Sequence, residues 1–242
     1  EGETLASLLA RLRQAAPDAQ TPFGQRGTAL YFAQLAERFA EVADGLHHAH
    51  VRGVVHRDIK PSNLILERTV SGSTGRLRIL DFGLARLEGQ EAITHSGDIV
   101  GTPQYMSPEQ ARRKQIELDH RTDIWSLGAT LYEAILGRPP FQGKDAQDTL
   151  TRIIAEEPAA PRTLDSRVPR DLETIVLKCL RKEPGDRYRT AERWDRTCGA
   201  WCAARRWRRC RRRGGNGRRG ASRGTASRSS SVRAPRRSWP SG

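Results

Sequence analysis

Residues 54–66 read VVHRDIKPSNLIL, and no other stretch restricts the fold of this chain as much. His56, Arg57, Asp58, Lys60 and Asn63 are crowded between two apolar ends. The second end, Leu64–Leu66, is followed by the flexible turn SGSTG and by a further apolar run, Leu77–Leu80. Two short apolar runs around such a turn read as paired strands. The polar cluster therefore feeds directly into a small sheet.

Around this segment the periodicity is helical. Leu5, Leu8, Leu9 and Leu12 give residues 3–16 one apolar face that stops at Pro17, and residues 17–27 read as a Pro/Gly-bearing loop. Leu35, Phe39, Val42, Leu46 and Ala49 step by 4, 3, 4 and 3 through residues 28–50, the stripe of a helix with one buried side. Ile124–Leu136 is almost wholly apolar and predicts a buried helix. Shorter helices are predicted over 146–155 and over 171–181, the latter on Leu172, Ile175, Val176, Cys179 and Leu180. Asp81 to Glu109 has little periodicity and reads as a long loop. No internal repeat is visible.

Charge is informative only when divided. The net charge is +14, and residues 199–242 hold 14 Arg with no Lys, Asp or Glu, so the first 198 residues are neutral. The basic character belongs to the end of the chain. There Arg, Gly and Ser dominate and apolar periodicity fades, a composition that cannot bury enough surface to offset chain entropy. A basic arm for nucleic acid or acidic lipid is one reading. An out-of-frame translation beginning near residues 192–198 is the other and the preferred one, so nucleic acid is not expected as a partner. The four cysteines, Cys179, Cys198, Cys202 and Cys210, form neither a disulfide framework nor a zinc pattern. No run of about 18 uncharged apolar residues predicts a membrane span, and a reducing cytosol is the expected compartment.

Several motifs stand in a fixed order. His56-Arg57-Asp58 with Lys60 and Asn63 is followed by Asp81-Phe82-Gly83, by Gly101-Thr102-Pro103-Gln104-Tyr105-Met106-Ser107-Pro108-Glu109, by Asp123-Ile124-Trp125-Ser126-Leu127-Gly128, and by Arg187. Any one of these would arise by chance; the series resembles the large lobe of the protein kinase family, in the bacterial style of eukaryotic-type serine/threonine kinases. The resemblance covers residues 1 to about 193. It implies an α+β, protein-kinase-like fold whose C-terminal lobe is mostly helical, with a short two-stranded sheet in the catalytic region. Two parts are expected: a partial kinase domain over 1–193, beginning just after the interlobe hinge, and an Arg/Ser/Gly-rich tail over 194–242.

The resemblance assigns roles residue by residue. Asp58 orients or accepts the proton of a substrate hydroxyl, and a carboxylate suits that task because it only accepts hydrogen bonds. Lys60 would reach the γ-phosphate of ATP; Lys here, with Gly101-Thr102-Pro103, points to Ser/Thr rather than Tyr. Thr102 would brace Asp58 and Lys60. Asn63 and Asp81 would hold Mg²⁺ through oxygens, as a hard cation requires. Gly2-Glu3-Thr4-Leu5 resembles the end of the hinge, placing Thr4 near the ribose and Leu5 under the adenine, with Leu64 and Leu66 as the floor of the adenine pocket. His56 and Phe82 match the hydrophobic stack of the family, Asp123 the support under the catalytic loop, and Glu109 with Arg187 its buried ion pair. Thr94 and Ser96 are candidate phosphorylation sites opposite Arg57.

The chain opens on Glu1, its only Met is Met106, and neither a glycine-rich strand motif nor a V-A-I-K lysine precedes residues 54–66. It is therefore expected to be a kinase fragment with little or no activity of its own, from a gene product that phosphorylates protein Ser/Thr side chains and is anchored elsewhere by a membrane helix. A non-catalytic, pseudokinase-like interaction module is the alternative. Oligomeric state is left open by the sequence.

Overall fold

The computed structural model describes residues 2–67, 75–80, 103–112 and 118–201. Its centre is α4 (Arg121–Leu136), every residue of which from Thr122 to Ile135 is buried. Such a helix has no solvent face, so each polar group on it must find a partner inside the protein. Thr122 shares a hydroxyl contact of 2.6 Å with Ser107, Ser126 donates to the Tyr105 carbonyl at 2.8 Å, and Thr130 donates back to the Ser126 carbonyl at 2.8 Å. Asp123 and Glu133 reach the site described below. Gly137 ends the helix in the left-handed conformation (φ +79°), its N–H returning to the Glu133 carbonyl at 2.7 Å.

Two helices flank α4. On one side lies α2 (Ala29–His50), capped by the Thr28 hydroxyl and joined to α4 by the Tyr31 hydroxyl, which donates to the Ala134 carbonyl at 2.8 Å. All five residues of its predicted stripe are buried. On the other side lies α7 (Arg170–Cys179), and here the backbones approach closely. A Cβ on Gly128 would sit 2.3 Å from the Cys179 Cβ, so glycine is what lets α4 and α7 touch. Replacing Gly128 with Ala is expected to destabilise the fold by about 3 kcal/mol through overpacking, read as a lower urea midpoint at unchanged m-value.

The sheet has three strands in the order β1 (Gly2–Thr4), β4 (Leu64–Glu67) and β5 (Leu77–Ile79), all antiparallel. The predicted pair is β4–β5, with Leu64 opposite Ile79 and Leu66 opposite Leu77. The third strand is the short stretch ahead of α1 (Leu5–Gln14), where the helical periodicity beginning at residue 3 predicts no strand. Residues 17–27, read as a loop, contain a small hairpin, β2 (Gln20–Thr21) with β3 (Gly24–Gln25). Two four-residue helices too short to leave a periodic signal, α3 (Pro108–Ala111) and α6 (Pro161–Leu164), complete the set with α5 (Ala146–Ala155).

Residues 191–201 form one more helix, α8, so the boundary expected at residue 193 falls inside a helix. Ala191, Trp194, Cys198 and Trp201 recur at helical spacing and are all buried, while Arg193 and Arg196 point to solvent. The arginines on the outer face had hidden that stripe. Trp201 donates to Asp171 at 3.1 Å, and the Cys198 thiol lies 3.6 Å from the Ala36 carbonyl, seating α8 on α7 and α2. Burial pushes the Cys179 thiol up to about 12, leaving it an inert core side chain. Among the described residues, no helix is long and apolar enough to cross a membrane.

Candidate active site

The loop joining α2 to β4 carries the polar cluster, and its backbone adopts a conformation that L-residues avoid: φ at Arg57 is +66°. A non-glycine residue in the left-handed region costs about 1–2 kcal/mol, so neighbouring groups must hold it there. The carboxylate of Asp123, fully buried in the first turn of α4, does so. Its Oδ1 accepts the Arg57 N–H at 2.7 Å and its Oδ2 accepts the His56 N–H at 2.8 Å. His50 Nε2 meets Oδ2 at 2.7 Å; a carboxylate only accepts, so the imidazole donates. Replacing Asp123 with Asn keeps the shape but turns one acceptor oxygen into an NH₂ facing other donors. A loss of about 2–4 kcal/mol is expected in urea unfolding, with faster amide exchange at His56 and Arg57.

The next groups in the loop are equally committed. The Asp58 N–H donates to His56 Nδ1 at 3.2 Å, which leaves the His56 proton on Nε2, 3.5 Å from the Leu80 carbonyl. The Asn63 amide nitrogen donates to the Asp58 carbonyl at 2.8 Å and to Asp58 Oδ2 at 3.1 Å. Lys60 Nζ donates to the same Oδ2 at 2.8 Å. Two donors on Oδ2 fix the carboxylate plane, and among the described residues Oδ1 accepts no hydrogen bond. Asp58 is thus a half-buried, pre-oriented acceptor with an ammonium beside it.

A second anchored segment lies against this loop. Pro103–Tyr105 forms a single 3₁₀ turn, and Ser107 then caps α3. The Tyr105 hydroxyl donates to the buried Glu133 carboxylate, which also pairs with Arg13 from α1. Burial, and after it the Glu133 charge, hold the Tyr105 phenol well above its usual range, so it remains a donor at all ordinary pH. Glu109 accepts two bonds of 2.7 Å from Arg187, whose side chain is wholly buried.

The family model described as the protein kinase domain matches residues 15–196. The chain belongs to the protein kinase family. Among curated proteins, it is 40% identical over 164 residues to "Probable serine/threonine-protein kinase SCO3848" of Streptomyces coelicolor, covering 65% of this chain and 23% of that protein. It is 36% identical over 157 residues to the serine/threonine-protein kinase PknB of Mycobacterium tuberculosis, covering 64% and 24%. With pkn3 of Myxococcus xanthus the figures are 39% over 159 residues, 63% and 28%. The chain thus spans about a quarter of the length of the curated relatives it matches. The fold is also that of the solved structure of Rad53 1-466 in complex with AMP-PNP, at a TM-score of 0.53 and 24% identity over 66% of this chain and 38% of that one.

Within this kinase domain the predicted residues fall into three groups. Asp58, Lys60 and Asn63 converge on one carboxylate, as described. Asp81, Phe82, Thr94, Ser96 and Thr102 lie outside the described residues. Thr4, Leu5, Leu64 and Leu66 are each engaged within the fold. The Thr4 hydroxyl caps α1 by accepting the Ser7 N–H at 3.2 Å, and Leu5, Leu64 and Leu66 are buried core residues. Strand alternation explains the last two: Leu64 and Leu66 share the inward face of β4, and Ile65 takes the opposite, partly open face. Ile65 lies against Gly2, where any Cβ would come within 2.8 Å of its Cγ1. Three adjacent apolar letters do not say which of Leu64, Ile65 and Leu66 faces the core; the strand alternation in the structure sets Ile65 apart from the other two. His50 was missed, since a histidine at the end of an apolar stripe has no distinguishing signal of its own.

Proposed function

We propose that this domain, as part of the intact gene product, transfers the γ-phosphoryl group of ATP to Ser or Thr hydroxyls of protein substrates, in the cytosol. The observation that carries the reading is the Asp58 carboxylate, held through Oδ2 by Lys60 and Asn63 while Oδ1 takes no bond among the described residues. Kinase names among the relatives support it, as does Lys60, the residue of Ser/Thr-directed members.

Asn63 suits an Mg²⁺ ligand on chemical grounds. Its amide nitrogen is spent on Asp58, which fixes the flip and leaves Oδ1, contacted among the described residues only by the Ser62 hydroxyl at 3.3 Å, as a neutral oxygen donor for a hard cation. Asp81 would be the charged ligand. Bound MgATP supplies the phosphoryl group and neutralises its charge; this chain positions and deprotonates. Asp58 Oδ1 accepts the hydrogen bond of the substrate hydroxyl and takes its proton as the oxygen becomes nucleophilic. Lys60, beside it, sets a positive charge where negative charge accumulates. Ile65, on the partly open face of β4, offers an apolar surface for a nucleotide base, and Thr102 would brace the catalytic pair.

The test is transfer of labelled phosphate from ATP to a Ser/Thr protein by the intact gene product, set against an Asp58→Asn control. MgATP should also raise the melting temperature of the same protein more than ATP with chelator, and Asn63→Ala should remove that difference. Nucleotide binding with no Asp58-dependent transfer would favour a non-catalytic interaction module instead.

A further inference from the structure

The peptide unit that leads into Asp58 is gripped at both ends. Its N–H, belonging to Asp58, goes to His56 Nδ1 at 3.2 Å. Its carbonyl, belonging to Arg57, accepts a hydrogen bond of 3.0 Å from Gln110 Nε2, on α3, 53 residues further along. Gln110 is itself fixed. It is the N3 residue of a capping box in which the Ser107 hydroxyl accepts the Gln110 N–H and Gln110 Oε1 accepts the Ser107 N–H at 2.9 Å. The Ser107 N–H can only donate and the Arg57 carbonyl can only accept, so the amide has one permitted orientation. Ser107 is in turn held by Thr122, one residue before the Asp123 that grips the other side of the loop.

We infer that Gln110 is a positioning residue for Asp58, coupling the anchored segment that ends in α3 to the left-handed turn at Arg57. Without it, the 57–58 peptide keeps one tether, and the direction of the Asp58 side chain rests on Lys60 and Asn63 alone. Glutamine is the only residue type that meets both demands, an acceptor for Ser107 and a donor for Arg57, at this length. The inference rests on the kinase reading for its effect on rate, and not for the clamp itself.

Gln110→Glu separates the two. Glutamate completes a capping box as well as glutamine does, yet it sets an acceptor oxygen against the Arg57 carbonyl. In the 242-residue chain, Gln110→Glu should melt within about 2 °C of wild type while the Asp58 amide exchanges about tenfold faster. In the intact gene product, kcat should fall about 5- to 30-fold with the KM for ATP within about twofold of wild type. Gln110→Ala, which loses the cap as well, should lower both melting temperature and kcat. Wild-type exchange at Asp58 in Gln110→Glu overturns the clamp, and so does a kcat loss that tracks melting temperature alone across the two variants. If the wild type transfers no phosphate, the kinase reading fails while amide exchange still decides the clamp.

Discussion

Replacing Asp58 with Asn is expected to lower phosphoryl transfer by about 10²–10⁴-fold, the range for loss of a positioned general base. Stability should hardly move, because the side chain is half-buried and its remaining carbonyl oxygen can still take a donor. The Lys60 and Asn63 contacts at 2.8 and 3.1 Å both fall on Oδ2, so an amide placed with its oxygen there preserves them. What it cannot do is accept a proton on the other atom. The KM for ATP should therefore stay within a few fold while kcat collapses, the signature of an interaction made only in the transition state. Transfer within fivefold of wild type by Asp58→Asn would remove Asp58 from the role of base.

The largest stability effect is expected at Arg187. All five N–H groups of its guanidinium are used: Nη1 and Nη2 on the two Glu109 oxygens at 2.7 Å, and the remaining three on the carbonyls of Arg181, Arg121 and Lys182 at 2.8, 3.1 and 2.9 Å. The plane also lies over Trp125, 5.1 Å from the ring centroid. Arg187→Met strands the buried Glu109 carboxylate and is expected to cost about 3–5 kcal/mol in denaturant unfolding. Lysine offers three donors and no fork, so Arg187→Lys should fall well short of wild type. Glu109→Leu combined with Arg187→Met should recover part of the loss, since the desolvation of both charges disappears with them. If the double variant is no more stable than Arg187→Met, the carbonyl contacts rather than the ion pair carry the energy.

The sequence was most readable where one face of an element is buried. The stripes of α2 and α7 and the apolar run of α4 marked these helices to within a few residues, because a buried face imposes a period. The loop over 56–63 was readable for a different reason: the resemblance to the family singled out Asp58, Lys60 and Asn63, and the structure brings these three together. Three kinds of feature were not legible. The inward or outward direction of Leu64, Ile65 and Leu66 depends on a one-residue register that composition does not contain. The amphipathic face of α8 was hidden by arginines that lie on its solvent side. Gln110 carried a readable local signal, Ser-x-x-Gln at 107–110, yet its second bond to Arg57 is tertiary and leaves no trace in local spacing.

The helix α4 has a consequence for the order in which this protein can be made. The carboxylate that holds His56 and Arg57 belongs to a residue 67 and 66 positions downstream of them, and Glu109 waits 78 positions for its arginine. A ribosome that has released residues 54–66 has therefore produced the letters of the catalytic loop but none of its geometry. Arg57 has no reason to enter the left-handed region until residue 123 has emerged and been wrapped by α2 and α7. A nascent chain arrested before residue 136 should leave the loop as open to protease as any unstructured linker, and the site should close only when the helix behind it is enclosed.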